Sequence, residues 1–84
     1  MKLHFTWSPQ ALATIRQADR ETALRILHAL TRLAQSGEGD VKRLKGPFHG
    51  QRRLRIGAWR VRFEVLDDNT HNILAIEHRG QAYR

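Results

Sequence analysis

The feature that most constrains the fold is a run of alternating apolar and arginine residues on both sides of a Gly57-Ala58 pair. Glycine at the first central position suits a two-residue type II′ turn, so the pattern predicts a β-hairpin. The predicted register pairs Ile56 with Trp59, Arg55 with Arg60, Leu54 with Val61 and Arg53 with Arg62. One hairpin face is then apolar (Leu54, Ile56, Trp59, Val61, Phe63, Val65), and the other carries Arg53, Arg55, Arg60 and Arg62.

The N-terminal half has the pattern of a short strand followed by two helices. Leu3, Phe5 and Trp7 alternate with polar residues, which predicts a half-buried strand. Ser8-Pro9 provides an N-cap with proline at the first helical position, where its missing N–H costs nothing. Asp19 predicts the cap of a longer helix that runs to about residue 35 and is ended by Gly37.

Apolar residues of the two predicted helices recur at the spacing of a core-facing stripe. They are Ala11, Leu12, Ile15, Ala23, Ile26, Leu27, Leu30, Leu33 and Ala34. After the hairpin, residues 67–69 predict a turn and residues 73–78 a last strand.

Size and composition exclude several classes of protein. The chain has 84 residues with 15 Lys+Arg and 8 Asp+Glu, a net charge of +7, so we expect one small basic domain over residues 1–84. There is no cysteine, which excludes a disulfide framework, a thiolate zinc site and a cysteine nucleophile. The five histidines are scattered without metal-ligand spacing, and we expect no metal and no cofactor. Neither a signal-peptide pattern nor a membrane-span pattern is found, and we expect a cytoplasmic location.

The positive charge is concentrated between residues 41 and 62, where there are eight basic residues and no acidic one. Like charges directly opposite on paired strands are destabilising, so four facing arginines predict an anionic ligand. Arginine in particular suits phosphate recognition. The alternative interpretation is a solvated strand face. Glu64 shares the arginine face, either as a base or, more simply, as the partner of a neighbouring arginine.

Three motifs together resemble the RelE/ParE superfamily of toxins from type II toxin–antitoxin systems. They are Lys42-Arg43-Leu44-Lys45-Gly46, the run from Arg53 to Val61, and Ile76-Glu77-His78-Arg79 followed by Tyr83. The resemblance implies an α+β fold in which two N-terminal helices, after a first strand, pack on one face of a small antiparallel β-sheet. It implies an antitoxin as partner.

RelE-like members cut messenger RNA on the ribosome with basic residues of the open sheet face and without a metal. The resemblance assigns catalytic roles to Arg53, Arg55 and Arg60, with Arg79 and the C-terminal Tyr83. His78 is a further candidate, by similarity to histidine-using relatives. The rest of the basic block supplies candidate RNA-binding residues, Lys42, Arg43, Lys45, Arg52 and Arg62.

Two other functions remain open at the level of sequence. ParE-like members use the same scaffold to poison DNA gyrase without cutting RNA. A noncatalytic nucleic-acid-binding module would need only the basic patch. The combination of Arg53, Arg55 and Arg60 with Tyr83 favours the ribosome-dependent ribonuclease.

Overall fold

Both predicted helices form, and both begin at the predicted caps. The computed structural model describes residues 3–79. The elements are β1 (His4–Trp7), α1 (Pro9–Gln17), α2 (Arg20–Ser36), β2 (Asp40–Arg43), a short 3-10 turn (Gly46–Phe48), β3 (Gln51–Ile56), β4 (Trp59–Asp67) and β5 (Thr70–His78). No helix within residues 3–79 is long and apolar enough to cross a membrane.

Side-chain caps define the helix starts, and a glycine defines the end of α2. The Ser8 hydroxyl accepts the N–H of Ala11 at 3.0 Å. The Asp19 carboxylate accepts hydrogen bonds from the Thr22 side chain and backbone, which lower the pKa of Asp19. Gly37 adopts φ +73° in the left-handed region, which an L side chain rarely adopts, and thereby ends α2.

The five strands form one sheet in the order β1-β5-β4-β3-β2. The pairs β2–β3, β3–β4 and β4–β5 are antiparallel, as expected, but β1 pairs in parallel with β5. The expected α+β fold with two helices on a small sheet is confirmed, and the expected antiparallel sheet is a mixed one because of the β1–β5 pair. The reason is topological. The two helices carry the chain from β1 to the opposite edge of the sheet, where β2 begins. The three connections from β2 to β5 each reverse the chain, and the last strand, β5, lies beside β1 and runs in the same direction. Strand β2 was not predicted, and β5 begins three residues before the predicted start.

The predicted hairpin register is confirmed at all four pairs. Gly57 has φ +60°, and no non-glycine residue among the described ones has positive φ. These angles agree with the predicted type II′ turn.

The helices cover one sheet face, here called the helix face. Ile26, Leu30 and Ala11 pack there against sheet residues, namely Leu54, Val61, Phe63, Ile73 and Ile76. The other face is called the open face. Three residues expected in the core are instead partly exposed, Val65 at 40%, Leu12 at 36% and Leu27 at 36%. Val65 lies beside a register shift at the end of β4, and the two leucines lie at the margins of their helical stripes.

Strand β5 carries one extra residue opposite β4. Phe63 pairs with Ile73 and Arg62 with Ala75, so Leu74 has no partner across the ladder. Such a bulge reverses the alternation of side chains beyond it. Ile76 therefore faces the helices as Ile73 does, and Glu77 reaches the open face.

Candidate functional site: an arginine cavity on the open face

The four hairpin arginines lie on the open face. Arg55 pairs with Arg60 and Arg53 with Arg62, while the alternate positions Leu54 and Val61 are buried under the helices. Residues that pair across antiparallel strands project to the same side. The predicted clustering of these arginines on one face is therefore confirmed.

Three of these arginines meet Arg79 around a cavity of about 100 Å³. Its described lining consists of Arg53, Arg55, Gly57, Ala58, Arg60 and Arg79. Arg79 is placed there by its backbone N–H, which donates to the Ala58 carbonyl at 2.7 Å and joins the end of β5 to the hairpin turn. The described lining contains four guanidinium groups and no carboxylate. This arginine cavity is suited to an anion of the size of a phosphate group.

The contacts of the Arg53 and Arg55 side chains with neighbouring protein groups are long. Arg53 Nη2 lies 4.0 Å from the Asp40 carboxylate, and the Asp40 side chain is largely exposed. Arg55 Nε donates to the Gly57 carbonyl at 3.4 Å. A guanidinium has five N–H donors, so neither contact saturates its side chain. Both groups can donate to phosphate oxygens.

Arg62 is engaged differently. Its Nε donates to the Glu77 carboxylate at 2.9 Å, and its Nη1 donates to Gln51 Oε1 at 2.9 Å. Its guanidinium also lies over the Phe48 ring, 4.4 Å from the centroid, and only 18% of the side chain is exposed. Predicted as an RNA-binding residue, Arg62 is here bound to other protein groups.

His78 lies on the helix face. It pairs with Trp59, and the two rings meet edge to face with centroids 5.1 Å apart. Arg60 pairs with Glu77 on the opposite side of the sheet. The structure thus does not bring His78 into the described lining of the arginine cavity. Tyr83 lies outside the described residues.

The five candidate RNA-binding residues do not share one surface. Lys42 pairs with Arg53 and lies on the open face. The next pair in the same ladder is Arg43 with Arg52, and because side chains alternate, this pair lies on the helix face. Arg43 and Arg52 line a separate cavity of about 310 Å³. Lys45 is exposed just before the 3-10 turn.

Sequence reasoning missed the polar partners of the open face. Glu64 accepts a hydrogen bond from Asn72 Nδ2 at 3.1 Å, and Asn72 Oδ1 accepts one from the Thr6 hydroxyl at 2.7 Å. Glu64 therefore pairs with an amide, and the expectation of an arginine partner is wrong. Glu77 and Gln51 gave no sequence signal, because their positions depend on the bulge and on pairing between distant strands. Within the described residues, no group of three or more His, Asp or Glu side chains could hold a metal ion.

The fold and the site define a class of small basic α+β proteins that present clustered arginines on an uncovered sheet face. The profile of the ParE toxin of the type II toxin–antitoxin system parDE matches residues 5–83, and the chain belongs to this family of toxins within the RelE/ParE superfamily. No curated protein sequence matches the chain.

Solved structures show the same fold. One is the RelBE2 toxin–antitoxin complex from Mycobacterium tuberculosis, with a TM-score of 0.79 at 20% identity over 94% of this chain and 100% of that chain. Another is the YoeB dimer from Staphylococcus aureus, with a TM-score of 0.74 at 27% identity over 93% of this chain and 98% of that chain. The archaeal RelE–RelB complex from Pyrococcus horikoshii has a TM-score of 0.75 at 24% identity over 95% of this chain and 98% of that chain.

Proposed function

We propose that this toxin is a ribosome-dependent endoribonuclease that inhibits translation by cutting messenger RNA. The observation that supports it best is the arginine cavity, where Arg53, Arg55, Arg60 and Arg79 converge at the hairpin turn. They are four of the six candidate catalytic residues; the other two are His78, which lies on the helix face, and Tyr83, which is outside the described residues. The YoeB structure, which is 27% identical to this chain, also supports the RelE-like branch of the superfamily.

In the proposed reaction, a ribose 2′-hydroxyl attacks the adjacent phosphate and the 5′-oxygen of the next nucleotide leaves. Negative charge on the phosphate oxygens increases in the transition state. Preorganised donors that strengthen their hydrogen bonds as this charge develops lower the barrier. Arg53, Arg55, Arg60 and Arg79 fit that role because a guanidinium is planar, permanently charged and rich in donors.

Proton transfer is assigned separately from charge stabilisation. Arginine rarely deprotonates near neutral pH and is a poor general base. In the proposal His78 or a ribosomal group moves the protons. His78 would have to act from its position beside Trp59, on the other face of the sheet. The small open cavity would align the 2′-hydroxyl for in-line attack only together with the ribosome, which supplies the additional positioning that cleavage needs.

The proposal includes an antitoxin and a cytoplasmic location. The RelBE2 and RelE–RelB structures are toxin–antitoxin complexes. A net charge of +7 favours an acidic partner electrostatically, and the family resemblance implies a partner segment that folds on binding.

Primer extension on messenger RNA in a translating extract tests the proposal. Cuts are expected when the toxin and ribosomes are both present, and not when ribosomes are removed. Arg60→Ala should abolish the cuts. Arg32→Ala should leave them unchanged, since Arg32 is an exposed residue of α2 with the same charge. Intact messenger RNA during growth arrest would reject the proposal.

The second candidate function is inhibition of DNA gyrase. It is favoured by the family profile, which is that of the ParE toxin. Trapped gyrase–DNA breaks with intact messenger RNA would support it. RNA or DNA binding without cleavage and without trapped breaks would instead indicate a noncatalytic binding module.

A further inference from the structure

A second cavity adjoins the arginine cavity on the open face. It has a volume of about 90 Å³ and is lined by Leu44, Phe48, Arg53, Arg60, Arg62 and Glu77. Arg53 and Arg60 line both cavities. A ligand whose phosphate lies in the arginine cavity would therefore place its neighbouring group in this second one, here called the Phe48 cavity.

Phe48 gives this cavity an aromatic surface that the fold does not use in its core. The residue ends the 3-10 turn and is 43% exposed. The turn is held by two backbone hydrogen bonds of 3.0 Å, from the His49 N–H to the Gly46 carbonyl and from the Leu44 N–H to the Gln51 carbonyl. The ring is thus presented on an anchored segment.

Arg62 supports the ring from one side. Its guanidinium lies 4.4 Å from the ring centroid and is itself fixed by Glu77 and Gln51. A cation over one face of an aromatic ring is a stabilising arrangement, and the ring holds its orientation as long as the arginine does. This accounts for an arginine that sits among phosphate-binding candidates but bonds to protein groups.

An aromatic side chain beside a cationic groove is the arrangement with which proteins hold single-stranded nucleic acid. Every base has a π-face, so stacking tolerates different base identities, and phosphates provide the complementary charge. The Phe48 ring is 43% exposed and lies in the same cavity lining as Arg53 and Arg60, so an aromatic surface and phosphate-binding donors are adjacent.

We propose that Phe48, supported by Arg62, is a stacking platform for one base of a single-stranded RNA whose adjoining phosphate binds in the arginine cavity. This inference rests on the proposed function and adds the site that holds the neighbouring base. The platform contributes to affinity and positioning rather than to the chemical step.

The test uses a short fluorescent RNA in which every ribose carries 2′-fluoro in place of the attacking hydroxyl, so that it binds without being cut at any position. Anisotropy at low salt measures affinity for this RNA and for versions in which each base in turn is replaced by an abasic nucleotide. In the wild-type toxin, one abasic position should weaken binding by roughly 5- to 100-fold. In Phe48→Ala that difference should disappear, and Phe48→Trp should restore it.

Leu66→Ala is the matched control, since Leu66 is 56% exposed and is not among the residues that line either cavity. It should bind every RNA as the wild type does. Thermal unfolding of each variant checks that it is folded.

The proposal is overturned if no abasic position weakens binding, or if the wild type does not bind the intact RNA at low salt. It is also overturned if Phe48→Ala loses the same factor for intact and abasic RNA, which would mean that Phe48 only supports its loop. Loss of antitoxin binding with unchanged RNA binding would make the ring a protein contact instead. Cleavage on ribosomes is measured separately, so stacking without cleavage would reject the proposed function and not the platform.

Discussion

Glu77 accepts a 2.9 Å hydrogen bond from Arg62 only because Leu74 bulges out of β5. Without the extra residue, strict alternation from the buried Ile73 would turn Glu77 towards the helices. The bulge therefore supplies the open face with a carboxylate that fixes one arginine, while Arg53, Arg55, Arg60 and Arg79 surround the adjacent cavity.

The Arg62–Glu77 pair should contribute measurably to stability. Its side chains are only 18% and 28% exposed, and Arg62 also packs on Phe48. Glu77→Gln removes the charge while keeping the shape, and should lower the free energy of unfolding by about 1–2 kcal/mol. Urea unfolding measures the change.

Asp40→Asn is the matched control for that prediction. The Asp40 carboxylate lies 4.0 Å from Arg53 and is 62% exposed, so its loss should cost about 0–0.5 kcal/mol. Equal losses from the two variants would show that burial does not decide the strength of these pairs.

Arg55→Ala should separate function from stability. Arg55 is exposed and lies opposite Arg60, so its removal relieves like-charge repulsion without opening the core. The free energy of unfolding should stay within about 0.5 kcal/mol of the wild-type value. Growth arrest on induction should be lost. Arrest that persists in a variant with native circular dichroism would move the site away from Arg55.

Much of the fold follows from local sequence signals. Ser8-Pro9, Asp19 and Gly37 set the helix boundaries, and Gly57-Ala58 sets the register of the central hairpin. Each signal acts within a few residues, because capping and turn formation depend on the backbone conformation of neighbours.

The parts that the sequence did not predict depend on distant contacts. Strict alternation of side chains from the buried Ile73 would place His78 on the open face near the arginines. The Leu74 bulge reverses the alternation, so His78 lies on the helix face against Trp59. A bulge changes one residue in a ladder and leaves no mark on hydrophobic periodicity. The separation of Arg43 and Arg52 from Lys42 has a similar origin, since it depends on the pairing of the unpredicted strand β2.

Gly57→Ala should destabilise the hairpin turn. Gly57 has φ +60°, and an added Cβ would lie 2.9 Å from Arg25 Nη2. The arginine end is flexible and can move, so the main penalty is the backbone conformation, about 1–2 kcal/mol. Thermal unfolding measures it, with Ala58→Ser as a control in the same turn. The loss should persist in an Arg25→Ala background; if it vanishes there, the steric contact and not the backbone is responsible.

Antitoxin binding should have an electrostatic contribution, which salt weakens, and an apolar contribution, which salt leaves in place. The net charge of +7 should speed association with an acidic segment at low salt. Raising salt from about 0.01 M to about 1 M shortens the Debye length from about 30 Å to about 3 Å and should slow association by at least about tenfold. Apolar contacts should then keep the complex together.

Leu24 and Leu27 on α2 are the candidate apolar anchors for that complex, at 43% and 36% exposure. Leu24→Ser should accelerate dissociation while leaving the salt dependence of association unchanged, because it removes apolar contact and no charge. Arg32→Ala, on the same helix, should alter the association rate and leave dissociation nearly unchanged. The measurement is stopped-flow association and dissociation with the co-expressed product of the adjacent open reading frame. An association rate that ignores salt would reject the electrostatic part, and a Leu24→Ser complex that dissociates like the wild type would reject the apolar one.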